Sequence, residues 1–306
     1  MNRLSTSATT PDLQRSPMAS GKNRRYSEWR RFIRVLFGRK IVFVATVIIF
    51  VLVVISAFAP FVSPYDPYDQ NLLQRLKSPS SSYWLGTDQR GRDELSRIIY
   101  GSRVSLMVGI IAVSTAAVIG MTLGLLSGFF GGWSNITIMR TIDALMSIPP
   151  ILLALAFAAA LGGGLPNLMI AIGISMVPIY ARLMRSLVLS AKAMDYVTAG
   201  RVIGATNVHV MLKHVLPNCF PPMIVMITLS MGDAILVEAG LSFLGLGIAP
   251  PGAAWGAMVN DGYRFLLTNP LLSLAPGVCI MLVVMSFNIV GDGLRDSLDP
   301  RLRGKI

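Results

Sequence analysis

Long apolar runs separated by short polar interruptions dominate this chain. Stretches free of Lys, Arg, Asp and Glu cover residues 41–65, 104–139, 144–181, 214–232 and 265–291. A helix needs about 20 mostly apolar residues to cross a bilayer. The third stretch is long enough for two crossings, and Gly162-Gly163-Gly164-Leu165-Pro166-Asn167 splits it with a turn sequence. The pattern therefore predicts an all-α integral membrane chain of six helices, near 41–62, 104–128, 138–160, 166–189, 218–244 and 272–292. Hydrophobic residues make up 53% and charged ones 14%, well under the roughly one quarter charged of soluble domains, so composition agrees.

The polar interruption at 195–217, DYVTAGRVIGATNVHVMLKHVLP, carries its own periodicity. Tyr196, Ala199 and Ile203 share one face of a short helix that Gly204 can end in a left-handed conformation. Thr206 or Asn207 can cap a second helix, on which Val208, Met211, Leu212 and Val215 follow the i, i+3, i+4, i+7 pattern. Pro217 closes the element before the next apolar run. A turn between membrane helices needs only a few residues, so an organised loop of this length points to docking on another protein.

The spacing from Thr198-Ala199-Gly200 through Gly204 to His214-Val215-Leu216-Pro217 resembles the cytoplasmic loop of bacterial ABC importer permeases. That pattern reads Glu-Ala-Ala, three residues, Gly, nine residues, Ile, one residue, Leu-Pro; here Thr198 replaces the Glu and His214 the Ile. Three more segments are similar to the second permease subunit of dipeptide, oligopeptide and nickel importers. These are Leu85-Gly86-Thr87-Asp88 with Gly91-Arg92-Asp93, then Glu238-Ala239-Gly240-Leu241-Ser242-Phe243-Leu244-Gly245, then Phe287-Asn288 with Gly291-Asp292-Gly293-Leu294-Arg295-Asp296. The resemblance covers residues 28–303.

It implies a type I ABC importer permease fold of six transmembrane helices. It also implies a heterodimer with a homologous permease, two ATPase subunits that carry the ATP and Mg, and an external substrate-binding protein. No cofactor falls on this chain. Thr198, Ala199, Gly200, Gly204, Asn207, Met211, Leu216 and Pro217 become the ATPase-docking residues. Peptides are the implied substrate, with nickel chelates, glutathione or another small solute as the alternative on the same machinery.

Charge sets the expected topology. The chain carries a net +12, of which residues 1–40 supply +8, ten Lys/Arg against Asp12 and Glu28. Basic residues beside a first membrane helix hold that end in the cytoplasm, a reading preferred here to a nucleic-acid tail. The first apolar run and its 40-residue leader are too long for a cleaved signal peptide, although Ala57-Phe58-Ala59 imitates a cleavage site. Six crossings then place Arg295, Arg301, Arg303 and Lys305 in the cytoplasm, with the 190–217 loop and its Lys192, Arg201 and Lys213. The division is a basic tail at 1–40 (disordered over 1–26), a first helix at 41–62 and an external loop at 63–103. A five-helix core at 104–292 and a cytoplasmic tail at 293–306 complete it. The location is the bacterial plasma (inner) membrane, with lipid as a further partner.

Catalytic and metal motifs are absent: there is no phosphate loop, no His-Glu-x-x-His and no Cys-x-x-Cys. Cys219 and Cys279 stand in different membrane runs and read as small packing residues. The sequon at Asn135-Ile136-Thr137 falls on the cytoplasmic side and is discounted. Polar residues inside membrane helices are costly and become pathway or gate candidates. Arg140 and Asp143 are spaced to pair with each other, as a gate or as a neutralised pair anchoring the helix end; Pro149-Pro150 should kink the third helix, and Asp233 and Glu238 lie five apart on the fifth. For Asp233 an interhelical hydrogen bond competes with pathway lining. Outside the membrane, Asp88, Arg92, Asp93 and Arg97 form a mixed-charge cluster that reads as a salt-bridged loop scaffold, while the resemblance makes the loop a contact for the external protein or partner permease. Trp255, after Pro250-Pro251-Gly252, is given the same role, with an interfacial anchor as its alternative. A secondary transporter would need coupling residues at mid-membrane and paired broken helices, and it would leave the 195–217 loop unexplained. A membrane enzyme would need a convergent polar site.

Overall fold

The computed structural model describes residues 33–298. The expected disorder of 1–26, most of the basic leader, and Arg301, Arg303 and Lys305 lie outside these residues. Among the described residues the elements are helical, with one isolated bridge between Thr87 and Asp93. Among the described residues five helices are long and apolar enough to cross a membrane, six if one bent pair counts as a single span.

The first crossing, α1 (Lys40–Ala57), is followed by the short α2 (Ala59–Val62) and lies at the periphery, burying only Val42 and Ala45. Its base is tied to the end of the last crossing by an Arg39–Asp296 ion pair of 2.8 Å. The second crossing, α3 (Glu94–Phe130), has 37 residues, roughly 55 Å, far more than the apolar thickness requires. It starts ten residues before the expected 104 because Asp93 caps it, accepting from the Ser96 amide at 2.8 Å. The last part of the expected loop at 63–103 is therefore helix.

Where a kinked third helix is expected, the chain makes two helices, α4 (Gly132–Met146) and α5 (Pro150–Leu161), bent by 91°. Two prolines account for the break. Pro150 forces Pro149 into an extended conformation, φ −53° and ψ 135°, and itself serves as the first residue of α5. Neither ring supplies an amide to carry the ladder across. The Gly162–Asn167 turn forms as expected, with the Asn167 side-chain amide donating to Leu161 O and Gly162 O.

The fourth crossing, α6 (Leu165–Lys192), packs along α3 through a stripe the charge pattern does not reveal. Gly120, Gly124 and Gly128 recur every four residues, and a Cβ on any of them would collide with Val177, Tyr180, Met184 or Val188. Small residues at this spacing let two membrane helices approach backbone to backbone. After α6 come α7 (Asp195–Val202), α8 (Asn207–His209), a π turn (Val210–Val215) and α9 (Leu216–Phe243), then α10 (Trp255–Tyr263) and α11 (Leu271–Leu298). Helix α10 lies inside the expected outer loop, and α11 runs past the expected 292.

Candidate functional site

The polar segment 195–217 forms two short helices joined at a glycine. Gly204 sits at φ +88°, where a side chain is strained, and the Ala205 amide donates back to Gly200 O at 3.1 Å. Thr206, not Asn207, is the cap of the second helix, its hydroxyl accepting from the His209 amide. Val197 is fully buried and anchors α7. Tyr196, Ala199 and Ile203 face outward together, as does Val202; Val202 is 83% and Ile203 85% exposed. Lys192 donates to Phe129 O at 2.7 Å, tying the end of α6 to the end of α3 beneath this segment.

The second half departs from the expected face. Val210, Met211 and Val215 are buried, whereas Val208 and Leu212 point outward. Met211 is therefore a packing residue rather than a docking contact. The reason is the π turn, which shifts the register of a simple α-helix. Thr198, Ala199, Gly204, Asn207 and Pro217 are exposed, and Gly200 and Leu216 are partly covered.

The pathway and gate candidates separate on inspection. Asp143 does not pair with Arg140. Its partner is Arg182 on α6, at 2.6 Å, because α4 lies against α6 and turns Asp143 toward it. Arg185 on the same helix donates to Asn135 Oδ1 at 2.6 Å, a second polar tie between α6 and α4. Arg140 and Pro150 are exposed. Glu238 is 0% exposed, locked between α9 and α3, and accepts from Ser105 Oγ at 3.1 Å and Ser242 Oγ at 2.7 Å. It is an interhelical polar link and lines no pathway within this chain. Asp233 is exposed. It follows Leu229 by one turn, and Leu229 ends a groove of about 650 Å³ between α6, α9 and α11 that also meets Leu183, Pro222, Met226 and Arg295.

The far end of the bundle holds the mixed-charge cluster, and it is not a surface. Asp88, Arg92, Asp93 and Arg97 are buried; Arg92 is 1% exposed. Arg92 pairs with Asp88 at 2.6 Å, and Arg97 donates to Pro67 O and Pro251 O at 3.4 and 3.3 Å. Trp255 is 0% exposed, and its Nε1 donates to Ile98 O at 2.9 Å. These side chains cannot touch an external partner or lipid, because they bind the loops before α3 and after α9 to the helix ends. The backbone carbonyls of Pro67, Pro251, Gly252 and Ile98 accept from Arg97 and Trp255, and none of these partners is visible in one-dimensional charge.

A bundle of apolar, membrane-length helices, with its polar groups knitted inside or gathered at one loop, is a multi-pass membrane protein. The chain belongs to the family of binding-protein-dependent transport system inner membrane components, which it matches over residues 120–304. Residues 27–79 match the N-terminal transmembrane domain of oligopeptide transport permease C. It is 42% identical to the dipeptide transport system permease protein DppC of Alkalihalophilus pseudofirmus, over 94% of this chain and 95% of that one. It is 40% identical to the glutathione transport system permease protein GsiD of Pectobacterium atrosepticum, over 90% of each. It is 41% identical to the probable D,D-dipeptide transport system permease protein DdpC of Escherichia coli, over 90% of this chain and 92% of that one. A chain of the MetNI methionine ABC transporter, solved in inward-facing conformations, shares the fold at 19% identity with a TM-score of 0.53, over 66% of this chain and 97% of that one. The protein is thus a multi-pass inner-membrane permease of an ABC importer with the type I fold, and it does not itself hydrolyse ATP.

Proposed function

We propose that this permease forms half of a translocation pathway for short peptides, pairs with a homologous permease, and receives the work of two ATPases through its 195–217 segment. An external binding protein delivers the substrate. The observation that carries the reading is the outward apolar face of that segment. Tyr196, Val202, Ile203, Val208 and Leu212 project beside basic Arg201 and Lys213, beyond any bilayer-length apolar run. Exposed apolar clusters of this kind mark protein contacts. The relatives named for dipeptide and glutathione transport support a short peptide as cargo.

The basic leader and the charges of the 190–217 loop orient this face toward the cytoplasm, with both termini on the same side. ATP and Mg belong to the ATPases, whose closure moves the segment and switches the pathway between outward and inward access. Asp233, the exposed carboxylate of α9, faces the pathway. The test is ATP-driven uptake of labelled di- and tripeptides by vesicles carrying both permeases, both ATPases and the binding protein. Gly204→Val should abolish uptake-coupled ATP hydrolysis while membrane insertion stays normal. Normal coupling in that variant would overturn the docking role.

A further inference from the structure

Residues Asn207–Phe243 run as one 37-residue helix from the docking segment into the membrane, yet its second turn is not α-helical. Over Val210–Val215 the ladder lengthens: the Leu216 amide bonds to Met211 O, five residues back. One residue is thereby inserted between the two parts of the helix. Burial shows the consequence. In a continuous α-helix Val210 and Val215 would stand about 140° apart around the axis. Here both are fully buried, and the covered line continues through Cys219 and Met223. Val208 and Leu212, which an uninterrupted helix would place on that covered line, are exposed instead.

The local chemistry holds the turn in place. Thr206 fixes its start through the His209 amide. Pro217 has no amide, so it cannot draw the ladder back to an α register at the exit. The Asn218 side chain donates to His214 O at 2.6 Å, supplying a donor at the point where the ladder changes. A π turn costs backbone hydrogen-bond quality and persists where it serves a purpose.

We infer that this π turn is a register device: it rotates the docking part of the helix by about one residue, roughly 100°, relative to α9, turning Val208 and Leu212 out beside Val202 and Ile203. Asn218 and Pro217 are its positioning residues. The inference rests on the docking reading above, but its tests are separable from it. The first uses the permease pair without ATPases, with Cys219 and Cys279 replaced by Ala and single cysteines at 208, 210, 211 and 212. Thiol reagent should modify positions 208 and 212 and spare 210 and 211. Protection at 208 with reaction at 210 is the α register and overturns the inference.

The second test deletes Lys213, which leaves one residue fewer in the turn. The residues left then close an α ladder without turning the flanks, so reactivity should stay at 208, spare 210, and capture of the ATPases by the solubilised permease pair should persist. A Lys213 deletion that exposes 210, protects 208 and loses capture overturns the inference even if it folds well. If the deletion fails to assemble, Asn218→Leu decides: greater reactivity at 210 supports a turn held by the Asn218 donor, and an unchanged pattern refutes that role. Leu212→Glu checks the underlying reading alone. If it captures ATPases normally, docking through this face is wrong, whatever the thiol pattern shows about register.

Discussion

Asp233 and Glu238 are five residues apart on one helix and meet opposite fates. Glu238 disappears between α9 and α3 with two serine donors, while Asp233 stays exposed with no such partners. A bare charge in hydrocarbon costs at least about 2.5 kcal/mol, so Asp233 needs water, a partner helix or a passing cation. A pathway supplies water and, with peptide cargo, an amine. Asp233→Asn should assemble normally but change uptake rate or preference among cationic and neutral peptides, measured in the vesicle assay. Normal transport by Asp233→Asn, with failed assembly of Asp233→Leu, would make it a packing hydrogen bond instead. Trp255 gives the complementary case. Its ring fills a space against Gly101 and Ile98, so Trp255→Ala should lower unfolding stability by about 3–5 kcal/mol in detergent denaturation. A loss under 1 kcal/mol would place the ring at the lipid interface after all. Sequence singled out both residues but not their surroundings. Burial of Trp255 depends on a backbone carbonyl 157 positions away, which no local pattern reports.

Whole helices were far more legible than their contacts. Apolar length alone located the five helices long enough to cross, because a membrane span must be long and uncharged, and it expected a sixth where the chain makes the bent pair α4 and α5. Pro149-Pro150 announced a break, and the two missing amides explain its severity. Asp143 departs from its local spacing, since the i, i+3 rule covers one helix only and α6 offers Arg182 across the helix interface. The glycine ladder of α3 could have been read directly: Gly120, Gly124 and Gly128 are a small-xxx-small repeat in an apolar run. It carries the closest approach of α3 and α6. At Gly124 a Cβ would lie 2.7 Å from Met184 Cβ and against the α6 backbone, which cannot yield. Gly124→Leu should therefore separate the two helices and eliminate folded, monodisperse protein from detergent extracts. Wild-type yield and thermal stability for that variant would show that the two helices pack elsewhere.

For the molecule as a whole, the decisive quantity is which membrane face each end occupies, because the docking segment works only if it meets ATPases in the cytoplasm. The first and last crossings meet at one end of the bundle through Arg39–Asp296, the same end from which α9 rises out of the docking segment. Segment 63–93 and α10 are gathered at the opposite end by Arg92, Arg97 and Trp255. The fold thus fixes which parts share a side, and charge decides which side that is. Lys and Arg resist translocation, and the ten in residues 1–40 outweigh the mixed charges of 63–103. An impermeant thiol reagent on sealed cells, with Cys219 and Cys279 replaced by Ala, reads the answer directly. Ser80→Cys, exposed at the far end, should be modified in sealed cells, and Asn207→Cys only after the membrane is opened. Modification of Asn207→Cys in sealed cells would put the docking face outside, where no ATPase can reach it, and would refute the coupling mechanism along with the orientation.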